Sequence, residues 1–89
     1  MHALGDGGDK VILVRDWLGN EVELHADNLN DALRCVRATF EHLRDLITPE
    51  GEPTSLLLVF VNGIEHEVLD GKTLKDGDLI ELLPVLHRG

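Results

Sequence analysis

One cysteine and five histidines are the thiol and imidazole groups of this 89-residue chain, and their spacing excludes most of what they could do. The single cysteine, Cys35, can form neither an internal disulfide nor a cysteine-rich zinc site. It also excludes a plant-type iron–sulfur centre, which needs four thiolates. Cys35 falls inside a helical apolar pattern beside Leu33 and Val36, so it reads as a partly buried structural thiol. His25, His66 and His87 are scattered along the chain, and no metal site is expected of them. His66, flanked by Glu65 and Glu67, reads as a solvated strand residue. Asn62-Gly63 and Asp76-Gly77 read as turn chemistry rather than as binding residues. No catalytic residue and no bound cofactor is expected.

Size and charge narrow the partners. A chain of this length makes one small domain whose single core leaves no room for a deep cleft. With 43% apolar and 28% charged residues, it has the composition of a folded soluble domain. Seventeen acidic residues against eight basic ones give a net charge of −9. A phosphate backbone is bound by clustered Lys and Arg, so neither nucleic acid nor an anionic membrane is an expected partner. The acidic surface serves solubility first, and steering towards a basic protein surface second. No apolar run approaches a membrane span, and Met1–Lys10 lacks the basic and apolar stretches of a secretory signal. A cytoplasmic protein is expected.

The elements follow from periodicity. Residues 1–10 read as a flexible leader, interrupted by Gly5, Gly7 and Gly8. Val11-Ile12-Leu13-Val14 suits a buried strand. After the turn Leu18-Gly19-Asn20, Val22, Leu24 and Ala26 alternate with Glu21, Glu23 and His25, which predicts a strand with one dry face. A long helix starts at Asn28, a capping residue, with Asp31 at the positive end of the dipole. Its apolar stripe is Leu29, Leu33, Val36, Phe40 and Leu43, and it should fail before Pro49. Leu56–Val61 is an unbroken apolar run, expected as the central strand. Asn62-Gly63 then predicts a hairpin turn, Ile64–Val68 the return strand, and Leu79–Val85 the last strand. Pro84 stands near the exit, where a missing donor matters least. One helix across the dry face of a mixed sheet buries every stripe, and the first and last strands are centred by lying side by side in parallel. This α+β arrangement is the β-grasp, here over 11–85, with 86–89 as an exposed C-terminal tail.

Two blocks carry a resemblance. Val59-Phe60-Val61-Asn62-Gly63, and Thr73-Leu74-Lys75-Asp76-Gly77-Asp78 running into Leu79–Val85, resemble the ubiquitin-like sulfur carriers. Those are the small subunit of molybdopterin synthase, the thiamine sulfur carrier and the ubiquitin-related modifier. The likeness covers roughly Val11 to Gly89 in element order and is specific over the last third of the chain. The tail departs from it. Relatives usually end in Gly-Gly, whereas this chain ends Leu86-His87-Arg88-Gly89, with Arg88 in place of the first glycine. A natural single-glycine tail, an end cut one residue short and a processed end all fit.

The resemblance implies a carrier whose working part is its own terminus. A ubiquitin-activating-type enzyme, using ATP and magnesium, would adenylate Gly89 after recognising Leu86, His87 and Arg88. The mixed anhydride would then accept sulfur to give a thiocarboxylate donor. Two alternatives stay open: a ubiquitin-like modifier conjugated to target proteins through Gly89, and a non-conjugated interaction domain. Under the first two readings the chain is not an enzyme, and its partners are the adenylating enzyme and a sulfur-accepting enzyme or target proteins.

Overall fold

The apolar alternation after Lys10 is realised as the inner faces of one mixed sheet. The computed structural model describes residues 4–7 by their backbone and residues 10–69, 71 and 73–85 in full. Its elements run β1 (Leu4–Gly7), β2 (Val11–Arg15), β3 (Glu21–Ala26), helix α1 (Leu29–Thr39), a 3-10 segment (Glu41–Leu46), β4 (Leu57–Val61), β5 (Ile64–Glu65), a short 3-10 turn (His66–Val68) and β6 (Leu79–Pro84). Among the described residues the strand order is β1-β3-β2-β6-β4-β5. β2 is antiparallel to β3 and parallel to β6, with Leu13 opposite Leu79. The fold is therefore the expected β-grasp, with β2 and β6 side by side at the centre.

The core lies between the sheet and α1. Asn28 caps the helix, its side-chain oxygen accepting from the Asp31 N–H at 2.8 Å. The helix buries Leu29, Ala32, Leu33 and Val36 against Ile12, Val14, Leu24, Val59, Ile80 and Leu82 of the sheet. It stops at Thr39, earlier than the apolar stripe suggests. The Thr39 hydroxyl bonds back to the Cys35 carbonyl, and Phe40 is extended at φ −109°, ψ 111° while its N–H still caps Val36. The break lets the chain double back. Arg37 holds the Ile47 carbonyl, Asn30 holds that of Gly51, and Arg34 holds that of Glu50. Gly51 sits at φ +85° so close to α1 that a Cβ there would run into the Asn30 carbonyl. This return brings Leu43 and Ile47 into the core but leaves Phe40 half-buried at its margin.

That difference has a measurable consequence. Leu33→Ala should cost about 2–5 kcal/mol in urea denaturation, the usual range for a fully buried leucine. Phe40→Ala should cost distinctly less. Equal losses would place Phe40 in the core after all.

Three further expectations are corrected. The 56–61 run is not the central strand: β4 lies one place from the sheet edge and alternates, with Leu57, Val59 and Val61 buried and Leu56 and Leu58 exposed. The return strand is two residues long, because after Glu65 the chain turns away to lay Leu69 against the core. Within the expected leader, Leu4–Gly7 pairs in parallel with β3, Leu4 opposite Leu24 and Gly7 opposite Ala26. The pairing uses backbone groups alone, so glycines do not forbid it, and it covers a strand edge that would otherwise be open.

Candidate functional site

Asn62, Asp76 and Asp78 show what the two sequence blocks are for. The Asn62-Gly63 turn has positive φ at both residues, 53° and 83°, as a type I′ hairpin turn requires. The Asn62 side chain then reaches across to β6. Its amide donates to Asp78 Oδ1 at 2.9 Å, and its oxygen accepts from the Leu79 N–H at 3.0 Å. Asp78 also accepts from the Lys75 N–H through Oδ2 at 2.8 Å. Asp76 reaches the other way, its Oδ1 accepting from the Val11 N–H at 2.7 Å, while the Gly77 N–H donates to the Val11 carbonyl at 2.8 Å. These bonds fix where β6 starts relative to both neighbours. The reading of the two motifs as turn chemistry holds, and their result is the register of the strand that leads to the C-terminus.

At the far end of β6, Pro84 lies opposite Leu57, and the Val85 N–H donates to the Leu56 carbonyl at 2.9 Å. Leu86, His87, Arg88 and Gly89, the expected site residues, lie outside the described residues.

Beside this strand end, the sheet face away from α1 carries apolar side chains. Leu58 stands opposite Leu83, both exposed, and Phe60 opposite Glu81. A cavity of about 250 Å³ opens here, lined by Arg15, Phe60, Glu81 and Leu83 among others. Arg15 crosses it, its Nε 2.7 Å from Glu21 and its Nη1 3.8 Å from Glu81. Sequence reasoning missed this face because an unbroken apolar run reads as buried on both sides.

Asp16, directly after β2 and also lining this cavity, is the only buried charged residue among those described. Its carboxylate accepts from the Leu18 and Asn20 N–H groups at 2.9 and 2.8 Å, from Asn20 Nδ2 at 2.9 Å and from His42 Nε2 at 2.7 Å. Burial pushes the carboxyl up, but the bonds from Asn20, His42 and Leu18 outweigh it and hold the group below its ordinary value. Burial likewise pushes the Cys35 thiol up, against a smaller opposite effect of Thr39. The protonated thiol fits the structural role expected of it. His66 is not the solvated strand residue expected. Its side chain is 13% exposed, because the turn after Glu65 folds the ring inward. Among the described residues no helix is long and apolar enough to cross a membrane.

No family model matches the chain, and no curated protein matches it in sequence. Solved structures do. The solution structure of the HVO 2177 protein of Haloferax volcanii superposes with a TM-score of 0.72 at 22% identity, covering 100% of this chain and 98% of that one. The solution structure of small archaeal modifier protein 1 from Methanosarcina acetivorans gives 0.77 at 21% identity, covering 93% and 100%. The crystal structure of the protein of the same name from Haloferax volcanii gives 0.70 at 19% identity, covering 90% and 100%. At these identities the likeness establishes a shared fold over nearly the full length of each chain.

Proposed function

We propose that this chain is a ubiquitin-like carrier whose Gly89 carboxylate is adenylated by a partner enzyme and converted to a thiocarboxylate sulfur donor. A carboxylate is a poor electrophile, since its charge repels nucleophiles and its oxygen leaves badly. Attack of the carboxylate on the α-phosphate of ATP, held with magnesium by the partner, expels pyrophosphate and leaves an acyl-adenylate. A sulfur nucleophile then displaces AMP. Glycine suits the reacting position because, without Cβ, it can lie extended and close to phosphate. The partner supplies the chemistry; this chain supplies the reacting group, and Leu86, His87 and Arg88 the contacts that present it.

The observation that carries this reading is the anchoring of β6. The strand is paired on both sides, registered by Asn62, Asp76 and Asp78, and bonded as far as Val85 among the described residues. A carrier needs a rigid body up to the point where its reactive segment begins, and an adjoining surface for the partner to grip. Leu58, Phe60 and Leu83 supply such a surface.

A second reading has its own support. Two of the similar folds are small archaeal modifier proteins. In that case the acyl-adenylate passes to a thiol and then to an amine of a target protein, through the same Gly89. Intact mass of the protein from its native host separates these readings. The carrier reading predicts exchange of one oxygen for sulfur, and the modifier reading predicts added mass on target proteins. An unaltered chain with no conjugates would contradict both and leave a non-conjugated interaction domain.

A further inference from the structure

We propose that Glu65, His66 and Glu67 bind one divalent transition-metal cation of the zinc class. Three consecutive strand residues would send their side chains to alternate faces, the histidine opposite the two carboxylates. The chain instead leaves β5 after Glu65 and enters a 3-10 turn at His66. The turn gathers one ligand atom from each residue to within 4.8 Å of one another. In tetrahedral zinc, with bonds of about 2.0–2.1 Å, neighbouring donors lie about 3.3 Å apart. Torsions of the two long Glu side chains can close that difference.

The imidazole itself points to a ligand. Its Nδ1 is buried and has no hydrogen-bond partner, and its Nε2 stands 3.9 Å from Glu65 Oε2, beyond hydrogen-bond range. Buried ring nitrogens in folded proteins are nearly always satisfied by protein, ordered water or an ion. Glu65 and Glu67 each bring a carboxylate oxygen within 4.8 Å of one of the ring nitrogens, and an ion among the three would use that nitrogen as a ligand. One imidazole and two carboxylates make a set that suits zinc-class ions, with a coordination position left for water. Calcium and magnesium prefer oxygen alone. The three residues line a groove of about 720 Å³ whose other wall includes Pro53, Thr54 and Ser55, which gives an ion access. The chain's net charge of −9 raises the local concentration of cations. None of this rests on the carrier reading, because the site lies in the β5 turn and uses no residue of the tail.

Zinc titration of the full-length chain by calorimetry tests the site. His2 and His87 are removed first as His2→Gln and His87→Gln, so that the termini cannot supply the ligand. This background should bind one zinc per chain, and its thermal midpoint should rise with zinc concentration. His66→Gln should abolish both effects. Glu67→Gln, a change at an exposed position that leaves the fold intact, should weaken binding by about tenfold or more, since even residues behind a metal's ligands change affinity that much. If His66→Gln does not fold, Glu67→Gln decides. Absence of saturable zinc binding in the background, unchanged affinity in Glu67→Gln, or magnesium binding as tightly as zinc would overturn the assignment.

Discussion

Asp16→Ala should destabilise the domain by about 2–4 kcal/mol, a large share of the 5–15 typical of whole domains. The substitution strips a common acceptor from three residues, in a side chain only 1% exposed. Asn20 is exposed, and its donors can turn to water. Leu18 and His42 are exposed residues as well, so the cost lies in losing four bonds to one buried charged acceptor rather than in leaving donors unpaired. The contacts also join distant segments, tying the β2–β3 turn to the 3-10 segment after α1. The effect depends on pH with a definite sign. Because the folded carboxyl sits below its unfolded value, its contribution is complete above about pH 4 and is lost as pH falls through the folded value. Urea denaturation from neutral to acid pH should therefore show wild-type stability falling in acid, and a flatter acid limb for Asp16→Asn. Trp17, the chain's single tryptophan, lies edge-on to the His42 ring with centroids 5.6 Å apart, so its fluorescence reports on this junction. An Asp16→Ala protein as stable as the parent would mean that the four hydrogen bonds merely replace equivalent ones to water.

Asp16 was not legible in the sequence, and the reason is general. A short-range pattern such as Leu18-Gly19-Asn20 announces a turn, but the His42 bond spans twenty-six positions, and no local signal encodes it. Features set by local chemistry were readable. The Asn28 cap, the Asn62-Gly63 turn and the alternation of β3 all depend on a few adjacent residues, and all are present. The order of the central strands was readable too, because a parallel β2–β6 pair is the simplest way to centre both apolar strands. What failed was decided by the tertiary context of a segment. The stripe through Phe40 continues in the sequence, yet the helix yields so that Ile47–Gly51 can dock on α1. The apolar run at 56–61 reads as doubly buried, yet Leu58 and Leu83 stay on the open face. The same effect hid His66, whose flanking glutamates suggest solvent until the turn folds the ring inward.

The second large effect concerns activity. Deleting Gly89, or adding one residue after it, should abolish activation by the partner enzyme while leaving thermal stability almost unchanged. The buried core among the described residues ends at Leu82 and the last described strand bond is at Val85, which is the basis for expecting an unchanged melting temperature. Either change does remove or displace the carboxylate that attacks ATP in the proposed reading. Changes on the open face should act differently. Leu58→Ser or Leu83→Ser should weaken docking and leave the chemistry of a bound complex intact, because the proposed reading has these exposed side chains meet the partner and not the reacting atoms. Arg88→Gly, which restores the more usual final pair, should be activated at least as well as the parent.

ATP–pyrophosphate exchange catalysed by the cognate adenylating enzyme tests the central claim most directly, because exchange reports formation of the acyl-adenylate and nothing later. The parent chain should support exchange, and both the chain lacking Gly89 and the chain extended by one residue should support none, with all three melting at closely similar temperatures. Exchange at the parent's rate with the truncated or extended chain would contradict the claim that function resides in the terminal glycine.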